Sequence, residues 1–402
     1  MYSSCKITII LGPGNHQSKL IEALKQSGNC FEVFNYYPVL SHTIYNTQGQ
    51  NIYDYKNILL TKFIQILWAI SYRIKPLKNI NFHFYLNYTI YDYWASTRIT
   101  KSSKLLWAWS QVSLKTIHKF KSNNLPVILE NPTIHINEWK QILNDEYQTF
   151  SPRKYRYYEI CKKLCKKIKR EYELADTIIV LSDFALQSFL RNKIDNNKLS
   201  KVSLYAYSEK HNDAFKRINN HNYEILFVGR IDVLKGIPRF LKVIDKIAIN
   251  NNFNVTLVGD IKEEVASFFQ MNRTYLKITG TKSKSELINI YKNSDLLILP
   301  SVQESFGLVI LEALSIGLKV LASKNSGAPD IAKYCDNVIL YNPFDESELE
   351  VKILSLMNNK GIKGTCDLSL FSKENYDAQI AELLNKYLNT SKQNFMEVKD
   401  HS

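Results

Sequence analysis

Two stretches of the chain repeat one design, and that repeat restricts the fold more than any other feature. Lys6-Ile7-Thr8-Ile9-Ile10-Leu11 runs into Gly12-Pro13-Gly14, and Glu224-Ile225-Leu226-Phe227-Val228 runs into Gly229, with a helix opening near Pro238. Each reads as the first strand of its own Rossmann-like sheet, a short apolar run followed by a tight turn into a crossover helix. In the second half, further strands are predicted at 255–258, 276–279, 296–299, 319–322 and 338–341, with helical segments between them. Such alternation specifies a parallel sheet. The fold class is therefore α/β. At 402 residues the chain exceeds one ordinary core, and it divides into two Rossmann-like domains of about 200 residues each that face one another across a cleft.

The polar stretch 208–222 precedes the second first-strand and is the predicted connection, giving an N-terminal domain over 1–207 and a C-terminal domain over 208–374. A last helix, 375–388, is expected to cross back onto the first domain. Between Tyr36 and Leu125 helical and strand signals are mixed, and only helices near 57–74 and 104–120 are predicted. From Pro126 the pattern clears: 127–129 is a strand, Asn131-Pro132-Thr133 a turn, and a helix runs from Glu138.

Bulk properties narrow the class further. Hydrophobic residues make up 45% and aromatics 12%, which fits a packed globular protein and excludes a long disordered linker. The six cysteines include one close pair, Cys161 and Cys165, with neither a second pair nor a nearby His to make a metal site, so all are expected as free thiols in a reducing compartment. No basic region followed by an apolar one opens the chain, so export is not expected. The apolar stretch 58–70 is broken by Lys62 and Gln65 and falls short of the ~20 residues that span a bilayer. A formal charge of +14 is concentrated at Arg153, Lys154, Arg156, Lys162, Lys163, Lys166, Lys167, Lys169 and Arg170. Such a face attracts nucleic acid or an anionic leaflet, unless it is simply a solvated helix face. The aromatic segments 63–68 and 105–109 favour a membrane surface, and a cytoplasmic protein peripheral to the inner face of the membrane is expected.

Residues 304–312 read Glu-Ser-Phe-Gly-Leu-Val-Ile-Leu-Glu. Glu312 falls inside an apolar run, 306–320, predicted as a helix buried on most sides. A buried carboxylate needs hydrogen-bond donors, which a ligand's vicinal hydroxyls or a neighbouring Lys or Arg would supply. Ser305, Phe306 and Gly307 stand where the free N–H groups of a helix start favour an anion. One element thus offers a phosphate site and a hydroxyl site.

Glu304 and Glu312 at this spacing, with Phe-Gly after the first and Glu-Ala at the second, resemble the signature of retaining nucleotide-sugar glycosyltransferases of family 4, which have the two-Rossmann GT-B architecture. Ser294-Asp295-Leu296-Leu297-Ile298-Leu299-Pro300-Ser301 before it, and Gly317 to Ser323 and Ser326-Gly327-Ala328-Pro329-Asp330 after it, continue the resemblance. It is specific over 222–345 and looser towards the N-terminus, where Glu171 to Asp176 and Leu181-Ser182 still fit. The resemblance implies transfer of a sugar from a nucleotide-diphosphate donor to a glycan or lipid-linked acceptor with retained anomeric configuration, in cell-surface polysaccharide synthesis. It also implies an acceptor-side first domain and a nucleotide-sugar-binding second domain.

Independently of the resemblance, Gly229-Arg230 ends a predicted strand and Lys235-Gly236 precedes a helix, so an Arg, a Lys and a helix N-terminus converge where open sheets bind ligands. The resemblance gives Arg230 and Lys235 the leaving diphosphate, Glu304 the donor sugar together with the backbone N–H groups of Phe306, Gly307 and Leu308, and Glu312 the ribose hydroxyls. It brings Gly14 and Asn15 to the donor phosphate from the other domain and Gly280-Thr281 to the nucleobase. His135, after the strand 127–129, is the candidate acceptor-side catalytic group, with His16 and Glu130 behind it. No metal-ligand pattern is present, so no metal and no cofactor are expected; the nucleotide sugar is a substrate. Two other readings fit the architecture: a nucleotide-sugar epimerase, and a non-catalytic basic protein that binds nucleic acid or membrane. No recognisable nucleic-acid module supports the second.

Overall fold

The computed structural model describes residues 6–12, 17–36, 51–55, 80–206, 222–358 and 364–388. The first part comprises β1 (Lys6–Ile10), α1 (Gln17–Gln26), β2 (Cys30–Asn35), β3 (Asn51–Asp54), α2 (Ile80–Ser96), β4 (Ser103–Trp109), α3 (Leu114–Lys121), β5 (Val127–Glu130), α4 (Ile136–Phe150), α5 (Tyr155–Tyr158), α6 (Lys162–Leu174), β6 (Thr177–Val180), α7 (Asp183–Arg191) and β7 (Leu199–Lys201). The second comprises β8 (Tyr223–Val228), α8 (Ile237–Ala248), β9 (Phe253–Val258), β10 (Leu276–Ile278), α9 (Lys284–Lys292), β11 (Leu296–Leu299), α10 (Leu308–Ser315), β12 (Lys319–Ser323), α11 (Ala328–Ala332), β13 (Val338–Tyr341) and α12 (Glu346–Asn358), followed by the terminal α13 (Lys373–Leu388).

Two wholly parallel sheets result, ordered β3-β2-β1-β4-β5-β6-β7 and β10-β9-β8-β11-β12-β13. In both, the first strand lies inside the sheet and the order reverses beside it, between β1 and β4 and between β8 and β11. These are doubly wound, Rossmann-like sheets, with apolar strands such as Leu296–Leu299 and Val127–Glu130 buried on both faces by the flanking helices.

The segment predicted as a helix over 104–120 differs. Its first part is β4, whose Leu105, Leu106, Trp107, Ala108 and Trp109 are all buried; the helix begins only at Leu114. A continuous apolar run has no period with which to distinguish a buried strand from a buried helix. Trp107 and Trp109, each 2% exposed, fill the core and are not available to a membrane surface. The helix predicted at 57–74, the aromatic segment 63–68 and most of the connection 208–222 lie outside the described residues. The helix expected over 306–320 is α10 alone. It stops because Gly317, at φ 81°, takes a left-handed conformation and closes a Schellman pair, Gly317 N–H to Leu314 O at 2.9 Å and Leu318 N–H to Ala313 O at 3.0 Å.

Cys335 and Cys366 are joined in a disulfide, contrary to the expectation of free thiols: a β-bridge pairs these two residues across a sequence separation of 31. Cys30 and Cys165 carry free thiols. Spacing along the chain could not reveal a pair made by that bridge. Among the described residues, no helix is long and apolar enough to cross a membrane.

The two sheets are tied together by polar contacts. Arg239 makes a bidentate pair with Glu146 at 2.7 and 3.1 Å, and the hydroxyls of Tyr147 and Tyr158 donate to Glu264 at 3.0 and 2.8 Å. Lys201 bridges Asp183 and Asp330, each at 2.6 Å. Helix α13 packs on α1, and its Gln379 accepts the backbone N–H of Ser203 at 3.0 Å.

Candidate functional site

The reversal between β8 and β11 opens a crevice beyond their carboxyl ends, the place where open α/β sheets receive ligands. Three loops meet there. After β8, Gly229 continues the ladder to Val258 O at 2.9 Å, and Arg230 projects with its side chain 67% exposed. Its Nε lies 3.2 Å from Asp232 Oδ2, and the other Asp232 oxygen accepts the Lys235 N–H at 2.7 Å. Burial pushes the Asp232 carboxyl up, and Arg230 and Lys235 oppose the shift. Asp232 thus holds both cationic residues of the loop, a positioning role missed in the sequence although it stands between them. Gly236, at φ 70°, caps α8, and a Cβ there would fall 1.9 Å from Pro300 O. Only glycine lets this loop close on the end of β11.

The Lys235 ammonium pairs with the Glu304 carboxylate, both side chains about one-fifth exposed, at 19% and 18%. Ser301 Oγ stands 3.5 Å from the same carboxylate, and the Glu304 N–H donates to Asn325 O at 2.9 Å. Ser305 Oγ donates to the carbonyl of Pro132 in the first domain, so the motif touches both sides of the crevice. Phe306 is buried and its carbonyl accepts the Gly327 N–H at 2.9 Å; Gly307 is the N-cap of α10 and Leu308 its first residue. Leu308, Val309, Glu312 and Ser315 form a half-buried stripe on this otherwise buried helix.

Glu312 is therefore less enclosed than expected. Its Oε2 accepts the Tyr291 hydroxyl at 2.9 Å. Lys19 of α1, 5% exposed, lies near enough for an ionic interaction: burial lowers the Lys19 pKa to about 8, and Glu312, then Glu22, oppose that shift. The Lys19 ammonium also donates to the Tyr205 carbonyl. Neither Tyr291 nor Lys19 was marked by any sequence signal, because each comes from a helix remote in the chain.

Gly280 follows the edge strand β10 and accepts the Gly259 N–H at 2.9 Å, which sets it beside Gly259 and Gly229 at the ends of three neighbouring strands; Thr281 is exposed. Gly14, Asn15 and His16 lie outside the described residues. Glu130 is buried and accepts the Trp107 indole N–H at 2.9 Å, a role in the core of the first sheet.

His135 is the N-cap of α4. Its Nδ1 accepts the Asn137 N–H at 3.3 Å, its ring lies 5.2 Å from those of Tyr172 and Phe189, and only 4% of it is exposed. Burial, with a smaller contribution from Lys169, lowers its pKa from 6.5 to about 4, so the ring is neutral at pH 7. The unfolded chain takes up this proton first, and the native state loses stability as pH falls from 6.5 towards 4, by about 3 kcal/mol from this residue. His135→Asn keeps the capping acceptor and removes the titration. Urea unfolding at pH 7 and pH 4 should show the variant losing less stability than the parent by about that amount.

The basic run from Arg153 is divided by the fold. Lys154 pairs with Glu263 of the second domain, Lys167 is buried, and Arg170 pairs with Glu173 at 2.7 Å, while Lys162, Lys163 and Lys166 are exposed. Among the described residues, no three His, Cys, Asp or Glu side chains are grouped to hold a metal ion.

Residues 208–367 match the family model of glycosyl transferases group 1. The chain is 27% identical over 194 residues to an uncharacterized glycosyltransferase of Methanocaldococcus jannaschii, covering 48% of this chain and 52% of the relative. It is 31% identical over 167 residues to the sulfoquinovosyl transferase of Arabidopsis thaliana, covering 38% and 32%, and 26% identical over 185 residues to the capsular polysaccharide biosynthesis glycosyltransferase CapM of Staphylococcus aureus, covering 44% of each. The chain thus spans about half or less of the length of these relatives. In fold it is similar to the sucrose-phosphate synthase of Thermosynechococcus elongatus, with a TM-score of 0.60 at 16% identity over 99% of this chain and 100% of that one. It is also similar to HepE of Anabaena in complex with UDP-glucose, with a TM-score of 0.57 at 17% identity over 95% and 99%. The crevice between β8 and β11 is therefore part of a segment that matches the family model of glycosyl transferases group 1, carried in a two-sheet molecule of the GT-B fold.

Proposed function

We propose that the protein is a retaining glycosyltransferase of family 4 that moves a sugar from a nucleotide-diphosphate donor to a glycan or lipid-linked acceptor, in synthesis of a cell-surface polysaccharide. The observation that carries this reading is the meeting of Arg230, Lys235 and Glu304 at the β8–β11 reversal, with the start of α10 beside them. The donor's diphosphate would draw Lys235 from Glu304, leaving that carboxylate for the hydroxyls of the donor sugar. The N–H groups of Phe306, Gly307 and Leu308 would favour the anion. Glu312 lies along α10 from this point, with Tyr291 of α9 donating to it, where the ribose would be gripped. Gly280 and Thr281 would read the nucleobase through the backbone, and Gly14 and Asn15 would approach the phosphate from the first domain.

In the reaction, the bond from the anomeric carbon to the donor phosphate oxygen breaks while the acceptor oxygen bonds to the same face of that carbon. The acceptor's proton passes to the departing phosphate oxygen. The protein's part is positional and electrostatic, with Arg230 and Lys235 stabilising the charge that grows on the diphosphate. Neutral and buried, His135 would act on the acceptor side by orienting the loop after β5. CapM of Staphylococcus aureus, named for capsular polysaccharide biosynthesis, favours this class of pathway. In this reading the protein works in the cytoplasm, against the anionic inner face of the membrane through the exposed lysines of α6.

Incubation with a panel of nucleotide sugars and acceptors, with the anomeric configuration of the product read by NMR, tests the reading. A product of inverted configuration would overturn retention, and an isomerised donor without transfer would favour an epimerase. Nucleoside diphosphate at a hundred times its dissociation constant should add ~2.7 kcal/mol of stability. Turnover should survive EDTA, because Arg230 and Lys235 supply the positive charge that a divalent ion would bring. Full loss on chelation, restored by magnesium or manganese, is the opposing result.

A further inference from the structure

The tie between the two sheets at Glu264 reaches further than docking. Glu264 stands in the 3₁₀ turn Glu263–Phe269 after β9, is buried, and accepts one hydroxyl on each carboxylate oxygen: Tyr147 of α4 at Oε1, 3.0 Å, and Tyr158 of α5 at Oε2, 2.8 Å. The two rings lie 4.7 Å apart, and Tyr147 is buried with them. Both donors belong to the first domain, so the hydrogen bonds that offset the burial of this carboxylate exist only while the two sheets are docked.

The turn that carries Glu264 is zipped to the loop that carries the site cations. The Gly229 N–H donates to Val258 O at 2.9 Å, the Ile231 N–H to Asp260 O at 3.0 Å and the Lys262 N–H to Ile231 O at 2.9 Å. The pairing of Ile231 with Ile261 extends the β8–β9 ladder beyond both strands. Gly259 makes this close approach possible: at φ 144°, a Cβ there would fall 1.8 Å from Gly229 O. Ile231, Val233 and Val265 are wholly buried and anchor both loops in the core. Between Ile231 and Val233 stands Asp232, whose carboxylate holds the Arg230 side chain and the Lys235 N–H. Burial pushes the Tyr147 hydroxyl up, and the charges of Glu264 and Asp232 add to that shift. This side chain of the first domain thus lies within electrostatic reach of the carboxylate that positions Arg230 and Lys235.

We propose that Tyr147 and Tyr158 are positioning residues of the diphosphate site: by gripping Glu264 they set the loops after β9 and β8, and so fix Arg230 and Lys235, from the opposite domain. The proposal rests on the reading of Arg230 and Lys235 as the diphosphate cations. A docked first domain then presents preorganised positive charge to the donor, and a first domain displaced from Glu264 leaves the Arg230 loop without that support. The other tie between the sheets, Lys201 with Asp183 and Asp330, joins β7 to α7 and α11 and does not act on that loop.

Inorganic pyrophosphate, which carries the diphosphate without base, ribose or sugar, is titrated by calorimetry into the full chain. The same titration is made on Tyr147→Phe/Tyr158→Phe, on Tyr158→Phe, on Arg230→Ala, on the triple variant that combines these substitutions, and on Lys201→Met. The double tyrosine variant should bind pyrophosphate about tenfold more weakly, the scale of one hydrogen bond to a charged group, and Lys201→Met as tightly as the parent. In the Arg230→Ala background the tyrosine substitutions should cost about threefold or less, because the cation they position is gone. Tyr158→Phe alters one half-buried hydroxyl and should lose about threefold, which keeps the test valid if the double variant folds poorly. An equal loss with and without Arg230, or an equal loss in Lys201→Met, assigns the tyrosines to domain docking alone and overturns the proposal. Parent-like binding in the tyrosine variants while Arg230→Ala binds weakly overturns it too, and leaves the cation assignment standing. Parent-like binding in Arg230→Ala, or no binding to the parent, overturns that assignment and this proposal with it.

Discussion

Lys235→Ala should lower kcat/KM for sugar transfer by about a hundred- to a thousandfold, the ~2.7–4 kcal/mol associated with one preorganised donor aimed at developing charge. The ammonium stands between the β8 loop and Glu304, so its loss removes positive charge where the leaving diphosphate gains negative charge. The protein should still fold, because Glu304 is 18% exposed and keeps its backbone tie to Asn325 and its contact with Ser301. Affinity for the bare nucleoside should change little, since the cation acts on phosphate and not on base or ribose. Arg230→Ala should behave similarly in kind, lowering turnover more than nucleoside binding. Its side chain is 67% exposed and its removal opens no cavity. Steady-state kinetics beside nucleoside and nucleoside-diphosphate titrations separate these quantities. Undiminished turnover in both variants would show that the diphosphate does not sit at this strand end.

The second domain could be read from sequence because each of its strands is a short apolar run bounded by turn residues and followed by a helix. The first domain resisted for a physical reason. Its helices bury ionic groups, Asp92 in α2 and Lys167 and Glu171 in α6, so the polar positions that would normally mark an exposed face belong to the interior. The strand β4 hid for the converse reason, being so uniformly apolar that it carried no period. At the candidate site, Arg230, Lys235 and Glu304 were legible because a strand end, a helix start and a motif each leave a local signature. Asp232, Tyr291 and Lys19 were not, since their contribution is a contact with residues from other loops and helices. The Cys335–Cys366 pair was hidden in the same way: spacing cannot encode a bridge that the fold creates.

Glu312→Gln should weaken nucleoside diphosphate binding by about 1.5–3 kcal/mol, the scale of hydrogen bonds to a charged group, without unfolding the protein. Glutamine preserves size and can still accept from Tyr291, so the α9–α10 contact survives while the charged acceptor for two ribose hydroxyls is lost. The competing account assigns Glu312 to Lys19, the buried cation across the domain junction. On that account the substitution leaves an ammonium without its counter-charge and lowers the melting temperature, while affinity in the folded fraction is unchanged. The Lys19 pKa of about 8 separates the two. A penalty from an uncompensated Lys19 exists only while the ammonium is charged; because Glu312 raises the parent value, the variant's lies below it, so the penalty grows as pH falls below 8 and is gone by pH 9. A lost ribose contact involves no titrating protein group beyond Glu312 and should weaken binding equally at pH 7 and pH 9. Calorimetric affinities and melting temperatures at both pH values therefore read the two contributions on one preparation. If Glu312→Gln binds nucleoside diphosphate as tightly as the parent at both, α10 is not the donor helix, whatever happens to the melting temperature.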